Sequence, residues 1–176
     1  MRNHSTSMTA DKTQITDQLV EDCVVRSVQT VFRTMLGHDA VLTRVPEDTT
    51  PSVSTSSSQV IGCVGFLGSA NGMIYLCLSD EFAKAASSQM LGMSPAEVEM
   101  SGNEVVHDVI GEITNMTVGG FKNAIADLGF PCKLTLPSIV RGHKLSIASI
   151  KSASRHIFRF EIAGHVLVAD LQLKIE

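Results

Sequence analysis

Apolar residues recur at every third or fourth position in two long stretches of this chain, which is the spacing that puts side chains on one face of a helix. The first stretch covers residues 15–36 and is followed by Gly37, and the second covers residues 103–128 and is followed by Gly129 and Pro131. Glycine and proline directly after a periodic run are typical helix stop signals. The pattern therefore predicts two long helices.

The other apolar stretches are shorter, and most of them alternate or run continuously as strands do. We expect strands at residues 41–45, 59–67, 73–78, 133–140, 145–152, 157–162 and 166–175, and helices at residues 81–91 and from Ser94 onward. The Asn71-Gly72 pair favours a hairpin turn within residues 68–72, and residues 163–165 are a second predicted turn. Helices and antiparallel hairpins in separate blocks indicate an α+β fold rather than a doubly wound parallel sheet.

Domain organisation follows from the polar stretches. Residues 1–14 are expected to be a flexible N-terminal tail and residues 15–176 a single domain. Residues 46–58, rich in Ser and Thr around Pro51, are interpreted as a long surface loop. No apolar run approaches the roughly 20 residues that span a bilayer, and the first residues lack the apolar centre of a signal peptide. We therefore expect a cytoplasmic protein that does not enter the membrane.

Composition mainly excludes classes of function. A net charge of -4 disfavours nucleic-acid binding, and 5% aromatic residues disfavour a platform for stacking bases. The chain has no phosphate-binding loop and no nucleophile elbow, and its six histidines lack metal-ligand spacing, so no metal site of its own is expected. No cysteine belongs to a C-x-x-C pair, which predicts buried free thiols at Cys23, Cys63, Cys77 and Cys132. The basic side chains Arg141, Lys144, Arg155 and Arg159 are interpreted as solvated strand ends, and Asp80 and Glu81 as helix-capping charges.

One face of the second long helix carries a polar stripe, consisting of Glu104, Asp108, Glu112, Asn115 and Gly119. Most such faces are simply solvated, but three details point to a docking surface. Asn115 is a poor helix former, Gly119 and Gly120 each cost roughly 1 kcal/mol inside a helix, and the three carboxylates repel one another. We therefore expect this stripe to meet a positively charged partner.

The string Asp108-Val-Ile-Gly-Glu112-Ile-Thr-Asn115-Met-Thr-Val-Gly-Gly resembles the signature helix of the CheC/CheX/FliY family, which dephosphorylates the chemotaxis response regulator CheY. In the family motif, an acidic residue or Ser is followed by Glu, Asn and, after roughly twenty residues, Pro. Asp108, Glu112 and Asn115 match this order, and Pro137 follows after 21 residues, about one fewer than usual. The similarity covers the chain from about residue 15 onward and is best to the CheX branch, which carries one active helix.

The resemblance implies a fold and a mechanism. The fold is an antiparallel or mixed β-sheet packed against two long helices with a pseudo-twofold internal repeat, and relatives form homodimers by continuing their sheets across subunits. Asn115 would orient the water that attacks the aspartyl phosphate of a CheY-like receiver domain, and Glu112 would dock on the receiver's Lys. Glu104, Asp108 and Gly119 would contribute to docking. Mg²⁺ would come with the receiver, so that the chain needs no cofactor of its own.

Some alternatives remain open. Asp22, Arg26 and Gln29 have the same spacing as Asp108, Glu112 and Asn115, and they are interpreted as an inactive copy of the motif in an internal repeat. A non-catalytic module of the same fold could bind a receiver domain or sense a ligand. A component of the flagellar switch, in the manner of the FliY and FliM relatives, is a further alternative, which the absence of their extra C-terminal domain disfavours.

Overall fold

The computed structural model describes residues 15–44 and 58–175, and within these ranges the chain forms two layers, with four helices on one face of a seven-stranded sheet. The helices are α1 Asp17–Leu36, α2 Asp80–Leu91, α3 Pro95–Ser101 and α4 Asn103–Asp127. The strands are β1 Val41–Thr43, β2 Gln59–Gly68, β3 Ala70–Ser79, β4 Cys132–Leu134, β5 Ser138–Gly142, β6 Ser154–Ile162 and β7 His165–Ile175.

The helix ends follow the signals in the sequence. The Thr16 hydroxyl accepts a hydrogen bond from the Leu19 amide at the start of α1, and Gly37 closes the helix in the left-handed conformation, with φ 64°. In α2, Ser79 is the N-cap and Gly92 the left-handed C-cap. Because L side chains disfavour positive φ, glycine suits both C-terminal positions. The predicted long helices are confirmed to within two residues at each end.

All strand pairs are antiparallel, in the order β1-β6-β7-β3-β2, with β4 and β5 both paired to the far edge of β2. The predicted turn between β6 and β7 is present at Ala163 and Gly164. The two long helices pack on the sheet and on each other, and a Cβ on Gly120 of α4 would lie 3.1 Å from Ser27 Oγ of α1. The predicted α+β fold, with two long helices against an antiparallel sheet, is confirmed.

The predicted internal repeat places its inactive copy on α1. There Asp22 and Arg26 are exposed and Gln29 is half-buried, and Gln29 Nε2 donates a hydrogen bond to the Ala40 carbonyl over 3.1 Å. In α1, therefore, Gln29 at the third motif position bonds to the segment that leads to β1. The repeat itself stays a prediction.

The hairpin turn within residues 68–72 is tighter than the Asn71-Gly72 pair indicated. β2 ends at Gly68, β3 begins two residues later, and Asn71 already belongs to β3. The Asn71 side chain accepts from the Gly68 amide and donates to its carbonyl, both over 3.1 Å. Gly72 lies inside the sheet, where a Cβ would collide with the Gln172 carbonyl of β7. Glycine is therefore required here by the close approach of two strands. The turn lies within residues 68–72 as predicted, but at Ser69 rather than at the Asn71-Gly72 pair.

An irregular segment, residues 143–153, covers the sheet face that points away from the helices. The predicted strand at residues 145–152 is wrong, because this segment bonds to side chains instead of to a strand. Gln172 of β7, which is fully buried, donates through Nε2 to the Ala148 carbonyl over 3.0 Å and accepts at Oε1 from the Ile150 amide over 2.5 Å. One buried amide thus satisfies two backbone groups that a neighbouring strand would otherwise satisfy.

An ion pair between an exposed arginine and a buried aspartate holds the same segment. Arg155 of β6 donates to Asp170 of β7, with Nε 3.0 Å from Oδ1 and Nη2 2.5 Å from Oδ2, and the Asp170 side chain is only 3% exposed. The guanidinium also reaches the Ser149 hydroxyl at 3.0 Å and the Ile147 carbonyl at 3.2 Å. The hydrogen bond to Asp170 raises the pKa of Arg155. Arg155 is exposed near the start of β6, as expected of a strand end, but its guanidinium is paired rather than free.

All four cysteines lie within the described residues and are free. Cys23 and Cys132 are buried as expected, whereas Cys63 and Cys77 are half-buried.

Burial raises the pKa of the Cys77 thiol to about 12. Because the thiolate is the nucleophile, we expect Cys77 to react with iodoacetamide at about pH 8 only after unfolding. Mass spectrometry of the labelled peptide checks this, and labelling of the folded protein at the rate seen in denaturant would contradict it.

The predicted N-terminal tail lies outside the described residues, as does all of the predicted loop at residues 46–58 except Ser58. The Ser58 carbonyl accepts a hydrogen bond from the Asp80 amide over 2.9 Å, just before β2 begins. None of the described helices combines the length and the apolar character needed to cross a bilayer.

Candidate functional site

The candidate site lies on α4, whose two faces differ in burial. The buried face packs on the sheet and on α1 and consists of Val106, Val109, Ile110, Gly111, Ile113, Thr114, Thr117, Val118, Phe121 and Ile125. In the polar stripe, Glu104, Asp108 and Glu112 are exposed, and Asn115 and Gly119 are half-buried. The surface stripe that the spacing predicts is therefore present.

A close approach of α4 to β2 fixes the helix at the level of the stripe. A Cβ on Gly62 of β2 would collide with Thr114 Oγ1, so the absence of a side chain there lets the helix lie against the strand. Thr114 is fully buried, and its hydroxyl donates to the Ile110 carbonyl over 2.6 Å. Because Asn115 follows Thr114 directly, its backbone is held by this contact.

The edge strand beside α4 is interrupted. The single strand predicted for residues 133–140 is instead β4 and β5, and their pairing with β2 shifts by one residue. Leu134 pairs with Phe66, the Thr135 amide bonds to the Gly65 carbonyl over 2.9 Å, and Ser138 pairs with Cys63. Leu136 and Pro137 together therefore lie opposite Val64, which is the arrangement of a β-bulge. The bulge turns Pro137 toward α4, and the prediction of one continuous strand is wrong.

A cavity of about 540 Å³ opens between α4 and the bulge, and we call it the α4 cavity. Its lining consists of His107, Asp108, Gly111, Glu112, Asn115, Pro137 and Ile139. Three residues of the polar stripe thus meet the proline that follows them in the sequence motif. Glu104 and Gly119, at the two ends of the stripe, do not line the cavity.

Three lining residues were not singled out from the sequence. Gly111 and Ile139 form the apolar part of the cavity wall, and a Cβ on Gly111 would lie 4.0 Å from Ile139 Cδ1. His107 Nε2 is buried and makes no hydrogen bond to any described residue. His107 and Gly111 lie four residues apart on α4, so the helical period could have found them once Asp108 was chosen. Ile139 is placed by its pairing with Gly62 across the sheet, which the sequence does not reveal.

The stripe is a local concentration of negative charge. Among the described residues no cationic side chain pairs with Glu104, Asp108 or Glu112. Exposed carboxylates four residues apart repel one another unless a cation lies between them. The stripe is therefore electrostatically suited to a cationic partner.

Two basic side chains, Arg141 and Lys84, pair with carboxylates outside the polar stripe. Arg141 of β5 forms an ion pair with Asp80 and donates to Asn103 Oδ1 at the start of α4. Lys84 of α2 lies 3.3 Å from Asp80 and 2.5 Å from Glu99 of α3, and the hydrogen bond to Glu99 raises the pKa of Lys84. This network joins β5, α2, α3 and α4. Arg141 is therefore not a solvated strand end, and Asp80 has a role beyond capping.

Known proteins resemble the chain in this same region. The family model described as chemotaxis phosphatase CheX matches residues 60–161, more than half of the chain, including α4 and the bulge. No match was found among curated proteins.

Solved structures also resemble most of the chain. The chemotaxis protein CheX from Vibrio vulnificus is 24% identical, with a TM-score of 0.72 over 88% of this chain and 96% of that chain. A CheC-like superfamily protein from Shewanella sp. PV-4 is 21% identical, with a TM-score of 0.74 over 90% and 99%. The complex of CheX with CheY, BeF3 and Mg²⁺ from Borrelia burgdorferi gives 20% identity and a TM-score of 0.62 over 88% and 97%. At these identities the likeness establishes the fold.

Proposed function

The chain belongs to the CheX family of chemotaxis phosphatases, and on this premise we propose that it dephosphorylates the aspartyl phosphate of a CheY-like response regulator and thereby terminates a chemotaxis signal. The observation that carries the proposal is the α4 cavity, where Glu112 and Asn115 lie side by side with Pro137. A short acidic-and-amide motif on a helix is common, so the proposal depends on Pro137, 22 positions after Asn115, lining the same cavity.

We assign to Asn115 the positioning of the water molecule that attacks the aspartyl phosphate. Hydrolysis of an aspartyl phosphate needs a water molecule in line with the bond that breaks, while charge on the phosphoryl oxygens is stabilised. An amide oxygen can accept a hydrogen bond from that water and brings no net charge near the phosphoryl group. Asn115 is half-buried on a helix fixed by the Thr114 contact, so its amide can hold the water in one orientation. Orientation of this kind contributes several kcal/mol to a rate when the geometry is tight.

The carboxylates of the stripe are assigned to docking. Glu112 is exposed, lies one turn before Asn115 and has no cationic partner among the described residues, so its carboxylate is available to the Lys of a receiver domain. Asp108 adds negative charge at the wall of the cavity, and Glu104 extends the negative surface away from it. Gly119 has nothing within 4 Å of the position of a Cβ, which leaves room for the partner's backbone.

The metal is assigned to the partner. Mg²⁺ would bind the receiver domain and stabilise the phosphoryl charge there, while this chain contributes the water position. The solved complex from Borrelia burgdorferi contains CheY, BeF3 and Mg²⁺ together with CheX, which supports this division. Within residues 15–44 and 58–175, no three His, Cys, Asp or Glu side chains are grouped so as to hold a metal ion.

A homodimer belongs to the same proposal. β1 pairs with β6 only at Arg159, Phe160 and Glu161, so residues 154–158 of β6 lack a described strand on that side. A free strand edge can pair with a second chain. Light scattering at assay concentration measures whether two chains associate.

Release of inorganic phosphate from phosphorylated receivers tests the function. Each receiver domain of the source organism is phosphorylated and mixed with the protein at a tenth of its concentration or less. Acceleration at that ratio requires turnover and supports an enzyme. Binding without acceleration would support the non-catalytic module instead.

Replacement of Glu112 by alanine is expected to weaken binding of a phospho-receiver by about five- to tenfold, because a charge pair at the interface is lost. The difference from wild type should shrink at high salt, since salt screens exposed charges. Isothermal titration with a receiver activated by beryllium fluoride, a phosphoryl mimic, measures it. Asp127→Ala is the matched control, because Asp127 is exposed on α4 roughly 22 Å farther along the helix. Equal affinities for the two variants would remove Glu112 from the docking surface.

A further inference from the structure

Leu136 is exposed to an unusual degree. It exposes 87% of its surface, more than any other large apolar residue that the structure describes. Its neighbour Pro137 lines the α4 cavity, and consecutive Cα atoms are about 3.8 Å apart, so the backbone of Leu136 lies next to that cavity. An isolated exposed leucine needs no explanation, but one held by a bulge beside a candidate site does.

The bulge explains why Leu136 is not buried. In a regular strand it would alternate with its neighbours, but here two consecutive residues lie opposite Val64 and only the second reaches the cavity wall. Thr135 fixes the start of the bulge, because its amide donates to the Gly65 carbonyl and its hydroxyl accepts from the Gly65 amide, both over 2.9 Å. Leu136 is thus presented by anchored backbone on both sides, and little entropy is lost when a partner covers it.

We propose that Leu136 is a specificity-determining contact for the receiver domain, which covers it with an apolar side chain next to its phosphorylation site. The inference rests on the proposed function. The polar stripe offers negative charge along α4, and Leu136 offers apolar surface across the α4 cavity from it. A matching receiver therefore presents a cation on one side of the phosphoryl group and an apolar residue on the other. Receivers with a polar residue at that place bind more weakly.

Leu136→Asp is expected to raise KM for the phospho-receiver about tenfold, since desolvated apolar contacts near an interface centre have effects of this size. The kcat value should stay within about twofold, because the water position is unchanged. Leu136→Met should behave as wild type. Val140→Asp is the matched control, because Val140 lies on the same edge, is 49% exposed and pairs with Ile61 on the other face of the sheet.

Several outcomes would overturn the proposal. Equal KM values for Leu136→Asp and Val140→Asp would show that Leu136 makes no contact. A fall in kcat with KM unchanged would make it a residue that shapes the cavity. A change of oligomeric state in light scattering would identify a second copy of this chain as the occupant. If the wild type binds the beryllium fluoride form of the receiver but releases no phosphate, catalysis fails, and weaker binding by Leu136→Asp still supports the contact.

Discussion

Replacing Asn115 with alanine is expected to slow stimulated phosphate release from a cognate receiver by about 100-fold or more. The reason is geometric: Asn115 is half-buried at the wall of the α4 cavity, and alanine has no group there to hold a water molecule. Alanine is also the better helix former, so the variant should fold at least as stably as the wild type. Measurement of kcat with excess phospho-receiver isolates the chemical step from docking.

Asn123→Ala is the matched control for this experiment. Asn123 is exposed on α4, two turns beyond Asn115, and does not line the cavity. The same chemical change there should leave kcat unaltered. Affinity for the beryllium fluoride form of the receiver should be nearly equal in both variants. An Asn115→Ala protein with the wild-type rate would refute the assignment of the water to this amide.

The second large effect concerns stability. Arg155→Met is expected to reduce the free energy of unfolding by about 3 kcal/mol at about pH 7, because it leaves Asp170 buried without its cation. A chain of this size should then melt roughly 6–12 °C lower.

Thermal unfolding of the variant and of the wild type at about pH 7 measures this loss. Arg159→Met is the matched control, since Arg159 lies on the same strand, but its carboxylate partner Glu161 is 58% exposed. Exposed pairs contribute about 0–1 kcal/mol, so this variant should differ little from wild type. An equally small loss in both variants would show that the pairing of Arg155 with the buried Asp170 contributes little to stability.

The long helices could be predicted because their signals are local. The 3.6-residue period and the glycine caps act within a few residues, and both α1 and α4 lie where the pattern placed them. The same period identified the polar stripe, and with it Asp108, Glu112 and Asn115, from the sequence alone. Pro137 could be predicted as part of the site only from the family resemblance, because no local signal connects a proline to a helix more than twenty residues upstream.

The predictions that were wrong share one cause, which is contact between distant parts of the chain. The apolar residues of 145–152 resemble a strand, but Gln172 and Arg155 take up the backbone groups that would have paired. The glycine of Asn71-Gly72 serves the approach of β7 rather than a turn. At the bulge, the pairing of β5 with β2 is shifted by one residue relative to the pairing of β4 with β2. No residue type in the sequence indicates such a shift. Side chains that act across the sheet cannot be located until the pairing is known.

The bulge also affects how this sheet meets other chains. A regular edge strand offers an unbroken row of amides and carbonyls on which a strand from another molecule can add, and such addition leads to aggregation. Along β4 and β5 that row is broken at Leu136, and Pro137 has no amide hydrogen to donate. The irregularity that brings a proline to the cavity therefore also protects one side of the molecule from intermolecular strand addition. In the proposed homodimer, the opposite edge, at β1 and β6, is therefore the better suited for pairing with a second subunit.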